Sequence, residues 1–280
     1  IPRRPPHPIP RRPRPLASEP MPVDGPSPPP ALAPSPHLAT PAAVRCLARE
    51  APCFRAAFPV MEQLLGEDRW PTLDELSQVA AMRCEADRGR VPRRGLRPRA
   101  HLYDALIAQR SVLPTRPDNW HDLFNVVAWA LFPEAKRALH ARQFRRLAER
   151  VPEHFDKLPG ARTEEQSALT RLDEGGMLLA LPDPARVDAL TERLQSLAVA
   201  RQPLEDAHLA PFGATCRIFG HALHEHLALG GPTPRAALVV LAGPPGDLDG
   251  SLARLLDDDS QPFRCSPASA WVTRALETTG

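Results

Sequence analysis

The stretch from Leu123 to Phe132 constrains the fold most, because almost every one of its positions is apolar. A helix that is apolar on all sides has to be buried nearly all round. The polar residues gather at the N-terminal end of this segment, at Asn119, His121, Asp122 and Asn125. We therefore predict a buried helix that begins in a polar cluster.

The bulk composition predicts an ordinary globular chain. Its 280 residues allow one large domain or two small ones, and 42% apolar residues are enough for a core. The formal net charge of +2 marks neither a nucleic-acid binder nor a membrane-surface protein.

The chain has five cysteines, an odd number, and no C-x-x-C pair. This pattern favours reduced thiols over a set of disulfide bonds and argues against a zinc ribbon. No run is long enough to span a membrane, so we expect a soluble cytoplasmic protein.

The N-terminal residues 1–38 are rich in proline and arginine. Proline fixes φ and removes backbone donors, so this segment predicts a disordered tail that cannot form a core. A P-x-x-P ligand for a protein partner is the alternative interpretation. Residues 39–280 are expected to form a single, mainly helical domain.

Helix start signals recur along this domain. Thr40 followed by Pro41 opens a helix to about Arg49, and Thr72 with Glu75 forms a capping box for a helix that should end near Gly89. Further helices are predicted by apolar spacing and by Ser-Pro or Asp-Pro starts. They cover residues 102–109, 120–132, 133–150, 184 onward, 214–228, 248–256 and 266–277.

Strands are predicted on either side of the turn-rich residues 173–176, at 169–172 and 177–181. Residues 236–242 are either a third strand or a buried helical turn. The predicted fold class is mainly α (α+β), a helical domain with a small β-hairpin or short sheet.

His121 is the residue of the polar cluster that helix rules explain least. It lies one turn from Asn125, and a helix N-terminus disfavours a charged imidazolium. His121 is thus expected to be neutral and able to bind a metal or act as a base. Asp122 has two interpretations, a capping residue three positions after Asn119 or a catalytic carboxylate.

A second cluster contains His221, His224, Glu225 and His226. The first three share one helical face and could offer two imidazoles and a carboxylate to zinc or another divalent ion. Their order matches neither H-E-x-x-H nor H-x-x-E-H. A hydrogen bond between His221 and Glu225 that braces the helix explains the same residues.

Asp173 and Glu174 are the third candidate. Paired carboxylates can bind metal or perform acid–base catalysis, but Asp-Glu-Gly-Gly is also ordinary turn chemistry. No Walker loop, G-x-G-x-x-G or G-x-S-x-G is present, which disfavours P-loop, Rossmann and α/β-hydrolase functions.

These motifs resemble a bacterial domain-of-unknown-function family, number 3025, over roughly residues 60–242. The resemblance rests on the segments Pro114–Arg116, Asn119–Asn125, Trp129, Phe132–Pro133, Lys136, Leu169–Thr170, Asp173–Gly176, Phe219–Leu223 and Glu225. It implies a bacterial, cytoplasmic protein without an established activity.

The resemblance indicates which polar residues are the better candidates for a functional site. Those on the family pattern are His121, Asp122, Asn125, Lys136, Asp173, Glu174, His221 and Glu225, with Arg116 and Asn119 beside them as members of a polar site. His224 and His226 depart from the pattern, which disfavours a site with three histidines. His140 and Gln166-Ser167 also depart from it, the latter where an arginine and an aspartate are expected.

Three functions compete. The reading slightly favoured is a non-catalytic binding or structural module, in which the polar side chains cap helices and tie buried ends together; it needs no cofactor. The second is a metal-assisted hydrolase or nuclease that binds a divalent metal through His121, Asp122, His221 and Glu225. Asp173 or Glu174 would then serve as the catalytic base.

The third, ranked last, is phosphate or nucleic-acid binding through the loop Arg88–Arg99, which holds six arginines but no interleaved aromatic residues. The separation of His121 from His221 and from Asp173 should discriminate between site and scaffold. Side chains that meet in an open pocket favour a site, and separate, buried side chains favour a scaffold.

Overall fold

The structure, a computed structural model, describes residues 40–87, 96–230, 232–243, 247–266 and 268–278. The predicted tail, residues 1–38, and most of the arginine-rich loop, residues 88–95, lie outside the described residues. The boundary between tail and domain therefore stays a prediction.

The described residues form helices interspersed with short strands, so the mainly α prediction with a short sheet is confirmed. The α-helices are α1 (Pro41–Glu50), α2 (Phe58–Leu65), α3 (Leu73–Ala80), α4 (Tyr103–Arg110), α5 (Trp120–Leu131), α6 (Pro133–Ala148), α7 (Glu164–Gly175), α8 (Val187–Val199), α9 (Asp206–Leu209), α10 (His221–Leu229) and α11 (Leu248–Asp257). The strands are β1 (Arg83–Ala86), β2 (Arg97–Pro98), β3 (Val112–Thr115), β4 (His154–Phe155), β5 (Gly176–Leu181), β6 (Thr215–Ile218), β7 (Arg235–Ala242) and β8 (Ser269–Trp271).

Local capping rules account for several helix starts. The Thr40 hydroxyl accepts from the backbone of α1, and Thr72 and Glu75 form the predicted capping box of α3. Asn119 caps α5, whose residues from Leu123 to Trp129 are all buried. The buried helix that begins in a polar cluster is confirmed.

The main sheet has four strands in the order β6-β5-β7-β8. β5 runs parallel to β7 and antiparallel to β6, and β8 closes the other edge antiparallel to β7. All six residues of β5 are buried. A strand that is covered on both faces has a continuous run of apolar residues, and Met177–Leu181 is such a run.

Helices cover both faces of this sheet. Met177, Leu179 and Leu181 point into a core that includes α5 and α10. Leu178 and Ala180 point into a second core formed with α6, α7 and α11. The sheet therefore fixes the start of α10 and the end of α7 relative to α5, which determines the site described below.

The predicted hairpin around residues 173–176 is wrong. Residues 169–172 lie inside α7, which a capping box of Thr163 and Gln166 opens and which continues through Gly175. Only the second predicted strand forms, as β5. Asp173 and Glu174 thus occupy the last turn of a helix rather than a turn between strands.

Three other predicted boundaries are wrong because strand pairing overrides local pattern. The helix after Thr72 ends at Ala80, where Ala81 adopts a left-handed conformation before β1 pairs with β3. The predicted helix 214–228 splits into β6 and α10, and the predicted C-terminal helix is replaced by β8. Residues 236–242 are a strand, one of the two alternatives.

No described helix is both long and apolar enough to cross a membrane. None of the five cysteines, all of which are among the described residues, forms a disulfide bond.

Candidate functional site

Three helix ends meet at one cleft. α5 brings His121 in its first turn, α7 brings Asp173 and Glu174 in its last turn, and α10 begins with His221. The cleft has a volume of about 280 Å³. Its lining residues are Asp87, Tyr103, Pro114, Arg116, His121, Asp122, Asn125, Asp173, Glu174 and His221.

Two glycines allow this approach. The backbone amides of Phe219 and Gly220 both donate to the carbonyl oxygen of Gly176, at 3.0 and 2.9 Å. A Cβ atom at Gly220 would lie 2.4 Å from the Gly176 nitrogen and 2.5 Å from the Glu174 carbonyl oxygen. Glycine at position 220 is therefore required for His221 to lie beside Glu174.

The centre of the cleft is a triangle of side-chain atoms that we call the His-His-Glu triangle: His121 Nε2, His221 Nε2 and Glu174 Oε2. The two imidazole nitrogens are 3.0 Å apart. The Glu174 oxygen lies 3.8 Å from His121 Nε2 and 3.5 Å from His221 Nε2. Among the described residues this is a group whose ligand atoms are close enough to hold one metal ion.

Glu225 supports His121 from the other side of its ring. Its carboxylate lies 2.9 Å from His121 Nδ1, so that Nε2 is left to face the triangle. The hydrogen bond to Glu225 raises the pKa of His121. The nearby Glu174 carboxylate raises this pKa further, whereas partial burial lowers it. The predicted hydrogen bond between His221 and Glu225 is wrong, because Glu225 bonds instead across to α5.

His221 lies deeper, with only 4% of its side chain exposed. Burial lowers its pKa to about 3, so the ring is neutral near pH 7. Its Nδ1 atom has no hydrogen-bond partner and lies 3.9 Å from Asp173 Oδ1. Each histidine of the triangle thus has a carboxylate on its Nδ1 side.

Asp173 is paired with a fully buried lysine. Lys136 Nζ donates to Asp173 Oδ1 at 2.5 Å and to Asn125 Oδ1 at 2.9 Å. Burial alone would raise the pKa of Asp173, but the attraction of Lys136 outweighs it and holds the pKa well below its usual range. In Glu174, by contrast, burial and the adjacent Asp173 charge raise the pKa.

Asp122 is held by Arg116 rather than by the helix N-terminus. The Arg116 backbone amide and Nε donate to Asp122 Oδ2, at 2.6 and 2.9 Å, and Nη2 donates to Oδ1 at 2.8 Å. The cap of α5 is Asn119, which accepts from the Asp122 amide at 3.1 Å. The capping interpretation of the Asp122 side chain is therefore wrong, although Asp122 does line the cleft.

His224 belongs to the core. Its ring stacks on Phe124 and packs near Phe54, and burial lowers its pKa to about 3. His226 is on the exposed side of α10, where its Nδ1 contacts the Ala222 carbonyl. His224 therefore does not share a metal site with His221, which was one of the arrangements left open by the sequence.

Sequence reasoning missed two contributors. Tyr103 lines the cleft and accepts a hydrogen bond from Asn125 Nδ2 at 2.9 Å. Asp87, which directly follows β1, also lines the cleft. The only local signal was a lone tyrosine at the start of a predicted helix, which by itself indicates nothing about a site.

A search of the curated proteins found no match to this chain. The model of one family, described as a protein of unknown function (DUF3025), matches residues 91–242. The match covers a little over half of the 280 residues and contains the whole His-His-Glu triangle and Glu225. The chain therefore belongs to the DUF3025 family of proteins of unknown function.

Proposed function

We propose that this protein binds a divalent transition-metal ion, with zinc as first choice, and uses it to activate water for hydrolysis. The ligands are His121 Nε2, His221 Nε2 and the carboxylate of Glu174. Glu174 replaces Asp122 as the first carboxylate ligand, because both Asp122 oxygens are engaged by Arg116.

The observation that carries the proposal is the size of the triangle. In a tetrahedral zinc site with bonds of about 2.0–2.2 Å, neighbouring ligand atoms lie about 3.3–3.6 Å apart. The three separations in the triangle, 3.0, 3.5 and 3.8 Å, bracket that value. Side-chain shifts of a few tenths of an ångström would fit the ion.

The surroundings of the ligands support a metal. A histidine ligand needs its other nitrogen held by a carboxylate or carbonyl group, which fixes the ring and makes it a better donor. Glu225 does this for His121, and Asp173 lies on the same side of His221. Neutral imidazole is the form that binds metal, and His221 is neutral at pH 7.

The openness of the cleft favours catalysis over a structural metal. Structural zinc sites are closed by four protein ligands, whereas catalytic sites have three and keep one position for water. Here 32% of the His121 side chain and 44% of the Glu174 side chain are exposed. A bound zinc ion lowers the pKa of its water to about 7 and so supplies hydroxide at neutral pH.

The competing function is the non-catalytic module that the sequence slightly favoured. In that case the short contact between the two Nε2 atoms is a hydrogen bond with one shared proton, which ties α5 to α10. Lys136 and Asp173 would likewise be a structural ion pair. This function needs no metal.

The test begins with metal content. The protein is purified without a histidine tag or chelator, and zinc, manganese and iron are measured by elemental analysis. We expect about one ion per chain in the wild type and loss of it in His221→Gln. His226→Gln is the matched control on the same helix, since His226 is exposed, and it should retain the ion.

Hydrolysis is tested on the same samples with p-nitrophenyl acetate as a carbonyl probe and bis(p-nitrophenyl) phosphate as a phosphodiester probe. We expect cleavage of at least one probe by the metal-loaded protein and not by Glu174→Gln. Absence of stoichiometric metal would contradict the proposal and support the structural module. Bound metal with neither probe cleaved would contradict the hydrolytic part.

The predicted cytoplasmic location is part of this proposal. It is supported by the odd number of cysteines and by the lack of disulfide bonds among them, which fit a reducing compartment.

A further inference from the structure

A chain of hydrogen bonds leads from the base of the cleft to the hydroxyl group of Tyr103. Asp173 accepts from Lys136, Lys136 donates to Asn125, and Asn125 donates to Tyr103. Lys136 is fully buried, and its ammonium group lies between the rings of Trp129 and Phe219, 5.8 Å from each ring centre. Tyr103 is the single tyrosine of the protein.

The direction of this chain follows from its donors. An ammonium group can only donate, so the atom of Asn125 that faces Lys136 has to be the amide oxygen. The amide nitrogen then faces Tyr103, and the tyrosine oxygen accepts from it at 2.9 Å. Because that bond uses an N–H of Asn125, the proton of the Tyr103 hydroxyl is left to point elsewhere.

The cleft is where that proton can point. Tyr103 lines it together with His121, Glu174 and His221. Although 40% of Tyr103 is exposed, its hydroxyl end is bonded to the buried Asn125. Burial of that end and the Asp173 charge raise the pKa of Tyr103, which keeps the hydroxyl protonated.

We propose that Tyr103 donates a hydrogen bond to a negatively charged oxygen of the ligand in this cleft, and that Asn125 orients it for this. The inference rests on the proposed metal site, because the metal would hold that oxygen beside the hydroxyl. When water adds to a carbonyl or phosphoryl centre, an oxygen of that group gains negative charge. Tyr103 would stabilise this charge without transferring its proton.

The experiment uses the whole protein loaded with cobalt(II), whose visible absorption bands report on its ligands. Acetohydroxamate, a small oxyanion that binds metals, is the probe. A hydrogen bond to a charged group contributes enough that its loss weakens binding about ten- to a hundredfold. We expect the dissociation constant of acetohydroxamate to rise by that factor in Tyr103→Phe, with cobalt affinity unchanged.

Asn125→Asp tests the orienting role. An aspartate there has no N–H to offer and would accept the tyrosine proton, which turns the donor away from the cleft. The expected loss resembles that of Tyr103→Phe, and the two losses should not add in the double variant. Asn119→Asp is the matched control, since it adds the same charge to the same helix and still caps it.

The outcomes are separable. Absence of cobalt bands in the wild type would overturn the metal site and this inference with it. Cobalt bands with equal acetohydroxamate affinity in wild type and Tyr103→Phe would overturn the role of Tyr103 alone. An equal loss in Asn119→Asp and Asn125→Asp would overturn the orienting role of Asn125.

Discussion

Lys136→Met removes the buried cation of the site and keeps most of the side-chain volume. Lys136 is 0% exposed, while its partner Asp173 is 14% exposed. The unbranched apolar chain of methionine can replace the lysine stem between Trp129 and Phe219. The substitution therefore tests the ion pair rather than the packing.

The expected loss follows from this burial. Removing one partner of a buried ion pair costs about 3–5 kcal/mol, because the other charge is left without compensation. Water still reaches the Asp173 carboxylate, so we expect the lower end, about 3 kcal/mol. A typical total stability of about 5–15 kcal/mol leaves the variant folded.

Urea unfolding of the wild type, Lys136→Met, Asp173→Asn and the double variant measures this loss and the coupling between the two residues. The double variant should lose clearly less than the two single losses together. Lys157→Met is the control, because Lys157 is the other lysine of the chain and is exposed. It should leave the free energy of unfolding unchanged within about 0.5 kcal/mol.

The pH dependence gives a second readout. Lys136 lowers the pKa of Asp173 in the folded chain, against the effect of burial. Its contribution is therefore complete above the unfolded pKa of about 3.9 and is lost as the pH falls towards the lower folded pKa. In Lys136→Met burial alone raises the pKa of Asp173, so the variant regains stability as this carboxylate takes up a proton. The advantage of wild type over Lys136→Met should therefore be greatest near pH 7 and shrink as the pH falls. A loss under about 1 kcal/mol, or additive losses, would contradict a stabilising ion pair between Lys136 and Asp173.

Three further predictions concern other parts of the site. Burial lowers the pKa of His224 to about 3 in the folded chain, whereas the unfolded residue binds a proton below about pH 6.5. Between pH 7 and 5.5 the free energy of unfolding of the wild type should therefore fall by about 1.3 kcal/mol more than that of His224→Phe. Urea unfolding at the two pH values measures this difference. Glu225→Gln should weaken zinc binding about 10–100-fold in chelator competition, since Glu225 holds His121, and unchanged affinity would argue against that support. Gly220→Ala should lower both the melting temperature and the metal content, because its Cβ meets the backbone of Glu174, while Gly160→Ala, with open space around it, should do neither.

The features that sequence could predict are those decided within a few residues. The cap at Asn119, the capping box at Thr72 and the apolar run after Leu123 each need only their neighbours to be interpreted. The family resemblance, which also rested on short motifs such as Asn119–Asn125, was confirmed as well.

The features that sequence could not predict are those decided by contacts between distant segments. The glycines at 175 and 176 suggested a turn, yet position 176 lies where the chain of α10 approaches closely through Gly220. Glu225 was assigned to His221, one turn away, but its partner is His121, which lies 104 positions earlier. Spacing along a helix indicates only that His221 and Glu225 are close enough to form a hydrogen bond. The packing of α5 against α10 decides that Glu225 bonds to His121 instead.

The most direct test of the metal site is a crystal structure of the zinc-loaded protein with anomalous diffraction measured at the zinc absorption edge. We expect one peak within about 2.0–2.2 Å of His121 Nε2, His221 Nε2 and a Glu174 oxygen. A map with no peak between these atoms, or with zinc bound only elsewhere, such as at the exposed Cys46, would contradict the proposed site.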